Sequence, residues 1–443
     1  MAGGLPFVAL RSRERLAGLD ADSASDCQSV RGVSGDVEMI STPWTPFTPE
    51  MDRPGSGRGP AERLGRDPCL TEKIKLFLST RSDSPLLAMD LGVVGSKYAE
   101  LRQHFPSAAA YYAVKANPAR EVVSLLAAEG ASFDIASPAE LDLCLSLGVT
   151  AERLSYGNTI KKAADIAYAY GRGVYRFAFD SEAELRKLAV HAPGAQVTCG
   201  LQATSKHAAW PLARKFGCDR DMASHLLVMS RYFGLKPMGV AFHVGSQQTD
   251  PTQWENPLQE TAAIFRKLAR HGIELNTVNV GGGFPVPYEG AVPTVQTFAQ
   301  AIGQSMGRAF GSSQPSLMLE PGRCLVAEAG VLQSEVVLVA RKSLSDATRW
   351  VYLDVGKFGG LAETLDESIK YRLHTTRTGI PGPVVLAGPT CDNADILYEK
   401  TPYELPLDLE CGDRIAILNA GAYTSSYASV GCNGFPPLKT YCL

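Results

Sequence analysis

A single lysine, Lys115, closes the aromatic and aliphatic run YYAVKANP at residues 111–118, directly before a turn. A charged amine in such a wall costs free energy unless its charge is paired, removed or used. Partial burial would lower its pKa and free the amine for attack on a carbonyl. Two further stretches say which carbonyl. GGGFP, beginning at Gly281, Gly282 and Gly283, would turn bare backbone N–H groups toward an anion. EPGR, with Glu320, Gly322 and Arg323, would bring a cation close to it. A reactive lysine beside a phosphate cradle points to pyridoxal 5'-phosphate held as a Schiff base. Taken alone, Lys115 reads as a snorkelling or ion-paired lysine, and a GGG run as a tight turn.

The elements that would position these residues follow from the pattern around them. From about residue 84, short apolar runs alternate with amphipathic segments. The strand candidates are 108–115, 132–137, 153–158, 175–180, 196–202, 238–245, 276–282 and 316–321, with helical patterns such as SPAELDLCLSLG and LQETAAIFRKLARHG between them. Eight strand–helix units in roughly 250 residues predict a (β/α)8 barrel. In such a barrel the working residues lie where strands end, and the loops after strands seven and eight form a recurrent phosphate site. The polar exceptions fall there: Lys115 ends the first strand, Asp134 lies near the end of the second, and His243 ends the sixth. The glycine run follows the seventh, and Glu320 and Arg323 follow the eighth.

Beyond about residue 330 the texture changes to β-rich segments with Gly/Pro turns, such as GVLQSEVVLVARKS and DRIAILNAGAY. This predicts a separate C-terminal β domain, a sandwich or barrel, which the strand near 85–90 joins. Residues 1–70 mix Gly, Pro, Ser and Arg without helix or strand period and read as a loosely attached or disordered extension. The expected division is therefore an extension at 1–70, a strand and linker at 71–95, the barrel at 96–330 and the β domain at 331–443.

Composition narrows the function class. The 443 residues are 45% hydrophobic and 20% charged, with a net charge of -3, which offers no basic field for nucleic acid or anionic membrane. No apolar run reaches the roughly 18 residues of a membrane helix. The ten cysteines are scattered, with no C-x-x-C pair and no metal-type spacing, as in a reduced cytoplasmic protein. The N-terminus has no sustained apolar core and is not read as a secretory signal.

In this order along the chain stand AVKAN, FDIAS, HVGSQ, GGGFP, EPGR, GPTCD and GAYT. With them the chain resembles the fold-type III pyridoxal-phosphate decarboxylases, the alanine-racemase-type barrel group of ornithine, lysine, arginine and diaminopimelate decarboxylases. YLDVGKFGGLAET and CDNADILYEKTPYELPL are most similar to the shorter bacterial ornithine decarboxylases. The resemblance implies that Lys115 carries the cofactor and that His243 stacks on its ring. It implies that Ser246, Arg323, Gly322 and the glycine loop hold the phosphate, closed by Tyr423, and that Glu320 pairs with the pyridine nitrogen. Asp134 would sit near Lys115 and the ring. It further implies a homodimer with shared sites, in which Cys391 donates a proton to the product carbon and Asp392 binds the distal amine across the interface. Lys215 and Asp395 resemble an ion pair tying the two subunits together. No metal is implied.

A carboxylate at the pyridine nitrogen keeps the ring an electron sink, so Glu320 argues for decarboxylation over racemisation. Two positions depart from the family pattern. Gly200, in VTCGLQ, stands where relatives carry an arginine near the residue matching Asp134. Val355 stands where eukaryotic ornithine decarboxylases place a second anchoring aspartate, with Asp354 just before it as a candidate for substrate binding. The expected reaction is decarboxylation of a basic amino acid, L-ornithine to putrescine first. Lysine or diaminopimelate decarboxylation, and a catalytically impaired homologue that binds a partner protein, are the alternatives.

Overall fold

The computed structural model describes residues 69–443, apart from 204–205 and 211–214. Nearly all of the expected extension, 1–68, lies outside the described residues. Helix α1 (Glu72–Ser79) leads into strand β1 (Leu86–Met89), and α2 (Leu91–His104) then opens the barrel segment.

The barrel strands are β2 (Ala109–Ala113), β3 (Ser132–Ile135), β4 (Leu154–Tyr156), β5 (Arg176–Phe179) and β6 (Gln196–Gly200). A short β7 (Ala208–Trp210) precedes β8 (Lys236–Ala241), and β9 (Ser246–Gln248), β10 (Thr277–Asn279) and β11 (Ser316–Leu319) follow. Eight of these close a parallel barrel in the order β10-β11-β2-β3-β4-β5-β6-β8, sealed where Met318 and Leu319 pair with Ala109 and Ala110. They coincide with the eight expected stretches. The pair β7–β9 was not foreseen; it is an antiparallel ribbon of three-residue strands, too short for a period to show.

Local chemistry starts the helices on time. Ser137 accepts a hydrogen bond from the Glu140 N–H, and Ser181 does the same for Glu184, so S-x-x-E steps turn β3 and β5 into the following helices. Between strands and helices the large apolar side chains pack to near-zero exposure, among them Tyr112, Phe133, Tyr156, Phe177 and Phe179. Because strand side chains alternate, Phe133 and Ile135 face one way from β3 and Asp134 the other. That alternation puts a carboxylate on the inner side of an otherwise apolar strand.

The C-terminal sheet contains β12 (Gly330–Ala340), β13 (Arg349–Leu353), β14 (Leu373–Thr375), β15 (Pro381–Ala387), β16 (Ile396–Pro406), β17 (Arg414–Ile417) and β18 (Lys439–Cys442). The long β12 is its hub. Its first half pairs with β1 and β17, and a bulge between Val336 and Leu338 bends its second half onto β13. Strand β1 also pairs with β18, so the segment before α2 is held by the last strand of the chain.

Candidate active site

A cavity of about 390 Å³ opens where the barrel strands end. Lys115, Asp134, Gly200, His243, Ser246, Gly283, Glu320, Gly322, Arg323 and Tyr423 line it, drawn from six barrel strands and the C-terminal domain. The volume falls in the range of small-molecule sites.

Lys115 sits in a single 3-10 turn, Val114–Ala116, that follows β2, so its side chain leaves the barrel wall and reaches into the cavity. Its Nζ lies 3.6 Å from Oδ2 of Asp134, which is 3% exposed. Burial was expected to lower the Lys115 pKa. Desolvation does act in that direction, but the Asp134 carboxylate, with Tyr423 and Glu320, outweighs it, and the amine is held above its ordinary value. Asp134 is itself pushed up, by desolvation and then by Glu320. The physical reason is common to both: one amine faces several acidic groups, Glu140 among them, and an acidic cluster with one cation holds its protons tightly. Oδ1 of Asp134 has no protein partner.

His243 is neutral. Burial, then the Lys115 charge, lowers its pKa to about 3, and its Nδ1 accepts the Gly245 N–H at 3.0 Å. That bond leaves the ring proton on Nε2. Glu320 is oriented by Asn279, whose Nδ2 donates to Oε1 at 2.6 Å, while Asn279 Oδ1 accepts the Gly281 N–H at 2.9 Å. One side chain thus couples the acid after β11 to the glycine loop after β10.

Of the three glycines only Gly283 lines the cavity. The others are needed for close packing: a Cβ on Gly281 (φ +68°) would lie 2.5 Å from the Phe242 oxygen, and one on Gly282 would lie 2.4 Å from that of Glu320. Gly322 is bounded by the Tyr423 hydroxyl, 3.2 Å from where a Cβ would stand. Tyr423 holds a left-handed φ of 56°, and its N–H donates to the Ala116 oxygen at 2.8 Å. Its ring lies 4.9 Å from the Arg323 guanidinium carbon. Arg323 meets Ser246, so the two expected phosphate ligands are hydrogen-bonded to each other, at 3.1 and 3.2 Å.

Three expected residues stand elsewhere in the chain. Cys391 and Asp392 are exposed on the loop after β15; the Cys391 N–H donates to Asn433 Oδ1, and the Asp392 carboxylate accepts the Ala394 N–H. Neither lines the Lys115 cavity. Asp354, expected in the substrate site, does not line the Lys115 cavity either. One of its oxygens accepts from the Ser334 hydroxyl and the Glu335 N–H, and it borders a separate recess with Phe358, Pro389 and Thr390. Asp395 is 2% exposed, and its carboxylate accepts from the N–H groups of Lys357 and Thr390 and from the Thr390 hydroxyl. Its carboxylate is thus taken up by Thr390 on its own loop and by the backbone at Lys357, so the expected pair with Lys215 draws no support from it; Lys215 lies over the Phe216 ring.

Gly200 lines the cavity with ordinary van der Waals room around it, its nearest neighbour Asp180 Cβ at 3.5 Å from a Cβ placed there. Sequence reasoning missed Glu363, Tyr288 and Asn279. Glu363 lies in an irregular stretch of short helical turns at 357–367, where no period marks a side chain as inward.

The site fits pyridoxal phosphate on its own geometry. An amine, a buried carboxylate and a neutral imidazole line one cavity together with a glycine, a serine and an arginine. The family model for the pyridoxal-dependent decarboxylases' pyridoxal-binding domain matches residues 91–327. The chain belongs to this family. The decarboxylase is 34% identical over 367 residues to a lysine/ornithine decarboxylase of Selenomonas ruminantium, covering 83% of this chain and 91% of that one. It is 31% identical over 393 residues to the ornithine decarboxylase of Mus musculus, covering 84% and 83%. A solved lysine/ornithine decarboxylase of Vibrio vulnificus, in complex with cadaverine, superposes with a TM-score of 0.76 at 30% identity, over 84% of this chain and 99% of that one. The cofactor of the present chain is pyridoxal phosphate, and its chemistry is that of a carboxy-lyase.

Proposed function

We propose that this decarboxylase acts on a basic amino acid, L-ornithine first, to release CO2 and putrescine, as a cytoplasmic homodimer with shared active sites. The observation that carries the reading is the convergence of Lys115, Asp134, His243, Glu320, Ser246 and Arg323 on one cavity at the barrel's strand ends. The names of the relatives support a diamino-acid substrate. Nine free cysteines among the described residues support a reducing compartment.

When bound, the cofactor supplies the electron sink for the carbanion left at Cα. The chain's residues do the rest. Lys115 holds the cofactor, and Asp134 keeps that amine in place. Glu320, set by Asn279, offers a carboxylate to a ring nitrogen. His243 presents a flat uncharged face, so it adds no positive charge that would compete for electrons. Ser246, Arg323 and Gly283 anchor the phosphate. Cys391 and Asp392, exposed and outside their own cavity, supply the proton to Cα and the anchor for the distal amine in the site of a second copy.

The test is CO2 release from the L and D forms of ornithine, lysine and arginine and from the LL, DD and meso forms of diaminopimelate. L-Ornithine is expected to give the highest kcat/KM. Faster release from lysine would move the assignment to that substrate, and no release from any would overturn the reading.

A further inference from the structure

Arg323 has five N–H donors, and each has a named acceptor. Nε and one Nη2 hydrogen form the side-on edge, which faces Ser246 Oγ at 3.2 and 3.1 Å. The end-on edge, one hydrogen from each terminal nitrogen, is gripped by Glu363 at 2.8 and 2.5 Å. The last Nη1 hydrogen goes to the Tyr288 hydroxyl at 2.9 Å. Both partners of the ion pair are almost fully buried, at 3% and 4% side-chain exposure. Glu363 also lines the same cavity as Ser246 and Arg323.

A guanidinium offers a planar fork on more than one edge, and rotation about its last torsions decides which edge meets an anion. Here the end-on edge is closed. We propose that Glu363 is a positioning residue for the cofactor's phosphate. With Tyr288 it locks Arg323 so that only the side-on edge, beside Ser246, is presented to the anion. The proposal rests on the phosphate lying at the Ser246–Arg323 end of the cavity.

Removal of Glu363 should therefore act opposite in sign to simple charge counting. A carboxylate near a phosphate repels it, so by Coulomb's law alone its removal would tighten binding. If Glu363 positions Arg323, its removal loosens binding, because the guanidinium is left buried, unpaired and free to turn. Glu363→Gln keeps the shape and one acceptor but sets an amide N–H against an Nη–H.

The experiment titrates apoenzyme with pyridoxal phosphate and with pyridoxal, which has the same ring and aldehyde but no phosphate. Binding is read from the visible absorbance that Lys115→Ala abolishes. Glu363→Gln is expected to weaken pyridoxal phosphate by roughly tenfold to a hundredfold, the range for a hydrogen bond to a charged group, and pyridoxal by less than about twofold. Tighter or unchanged pyridoxal phosphate binding would overturn the proposal, and so would equal weakening of both ligands. Should Glu363→Gln fail to fold, Tyr288→Phe carries the test. A selective loss for pyridoxal phosphate upholds the proposal, and an unselective or absent one refutes it. Absence of the Lys115-dependent band in the unsubstituted protein would instead strike at the placement of the cofactor itself, a separate outcome.

Discussion

The Lys115 amine lies 3.6 Å from the Asp134 carboxylate, and a second carboxylate, Glu320, also raises its pKa. The lysine that must attack an aldehyde as a neutral amine is thus stored as a cation by its neighbours. Capture of the cofactor by apoenzyme needs the minor, neutral form. Its rate should therefore rise with pH, about tenfold per unit while the amine stays mostly protonated. Asp134→Asn removes the nearest negative charge and should shift this profile to lower pH. Stopped-flow absorbance after mixing apoenzyme with pyridoxal phosphate measures it. A pH-independent rate, or an alkaline shift in the variant, would contradict the electrostatic account.

His243 should make the fold acid-sensitive. Its folded pKa is about 3 and its ordinary value is 6.5. As pH falls below 6.5 the unfolded chain takes up a proton that the folded chain refuses, so stability is lost from there down toward pH 3. Between pH 7 and 5.5 this group should cost about 1 kcal/mol. Denaturant melts of wild type and His243→Asn at the two pH values isolate it, with the variant losing less. Equal losses would mean that His243 is protonated in the folded state.

Asn279 should matter out of proportion to its distance from the chemistry, since it holds both Glu320 and the Gly281 N–H. Asn279→Asp keeps the acceptor for Gly281 but replaces a donor to Glu320 by a like charge. We expect kcat to fall by roughly tenfold or more, with KM changed far less. Steady-state kinetics with saturating cofactor give the split. A rise in KM alone would place Asn279 in substrate binding instead.

Subunit sharing can be tested by mixing. Lys115→Ala and Asp392→Asn each inactivate every site of their own homodimer, but a mixed dimer with shared sites contains one intact site. Random reassociation of equal amounts should recover about a quarter of wild-type activity. A mixture no more active than its components would mean that Asp392 serves its own chain or none.

Asp354 offers a control on substrate anchoring. Its carboxylate is spent on Ser334 and Glu335 at the edge of a different recess. Asp354→Asn should change KM for ornithine by less than about threefold, a surface-sized effect. A tenfold rise would return it to the substrate site.

Much of this was legible in the residues alone. Alternating apolar strands and capped helices specify the barrel, because a strand buried on both faces and a helix buried on one carry different periods. Chemistry-bearing residues at strand ends are legible for the same reason: Lys115, Asp134, His243 and Glu320 interrupt apolar runs, and a charge inside such a run needs an explanation. What the order of residues could not supply was the company each one keeps. The Lys115 pKa turned on acids from three other strand ends and loops. Arg323, legible as a phosphate cation, proved to have its five donors divided between Ser246, Tyr288 and Glu363, 35 to 77 residues away in the chain. Asp354, next to a recognisable glycine step, faced a different recess altogether. Periodicity is a local property of the chain and survives in one dimension; hydrogen-bond partners and electrostatic neighbours are set by distances in space, which only closure of the barrel and docking of the β sheet onto its rim create.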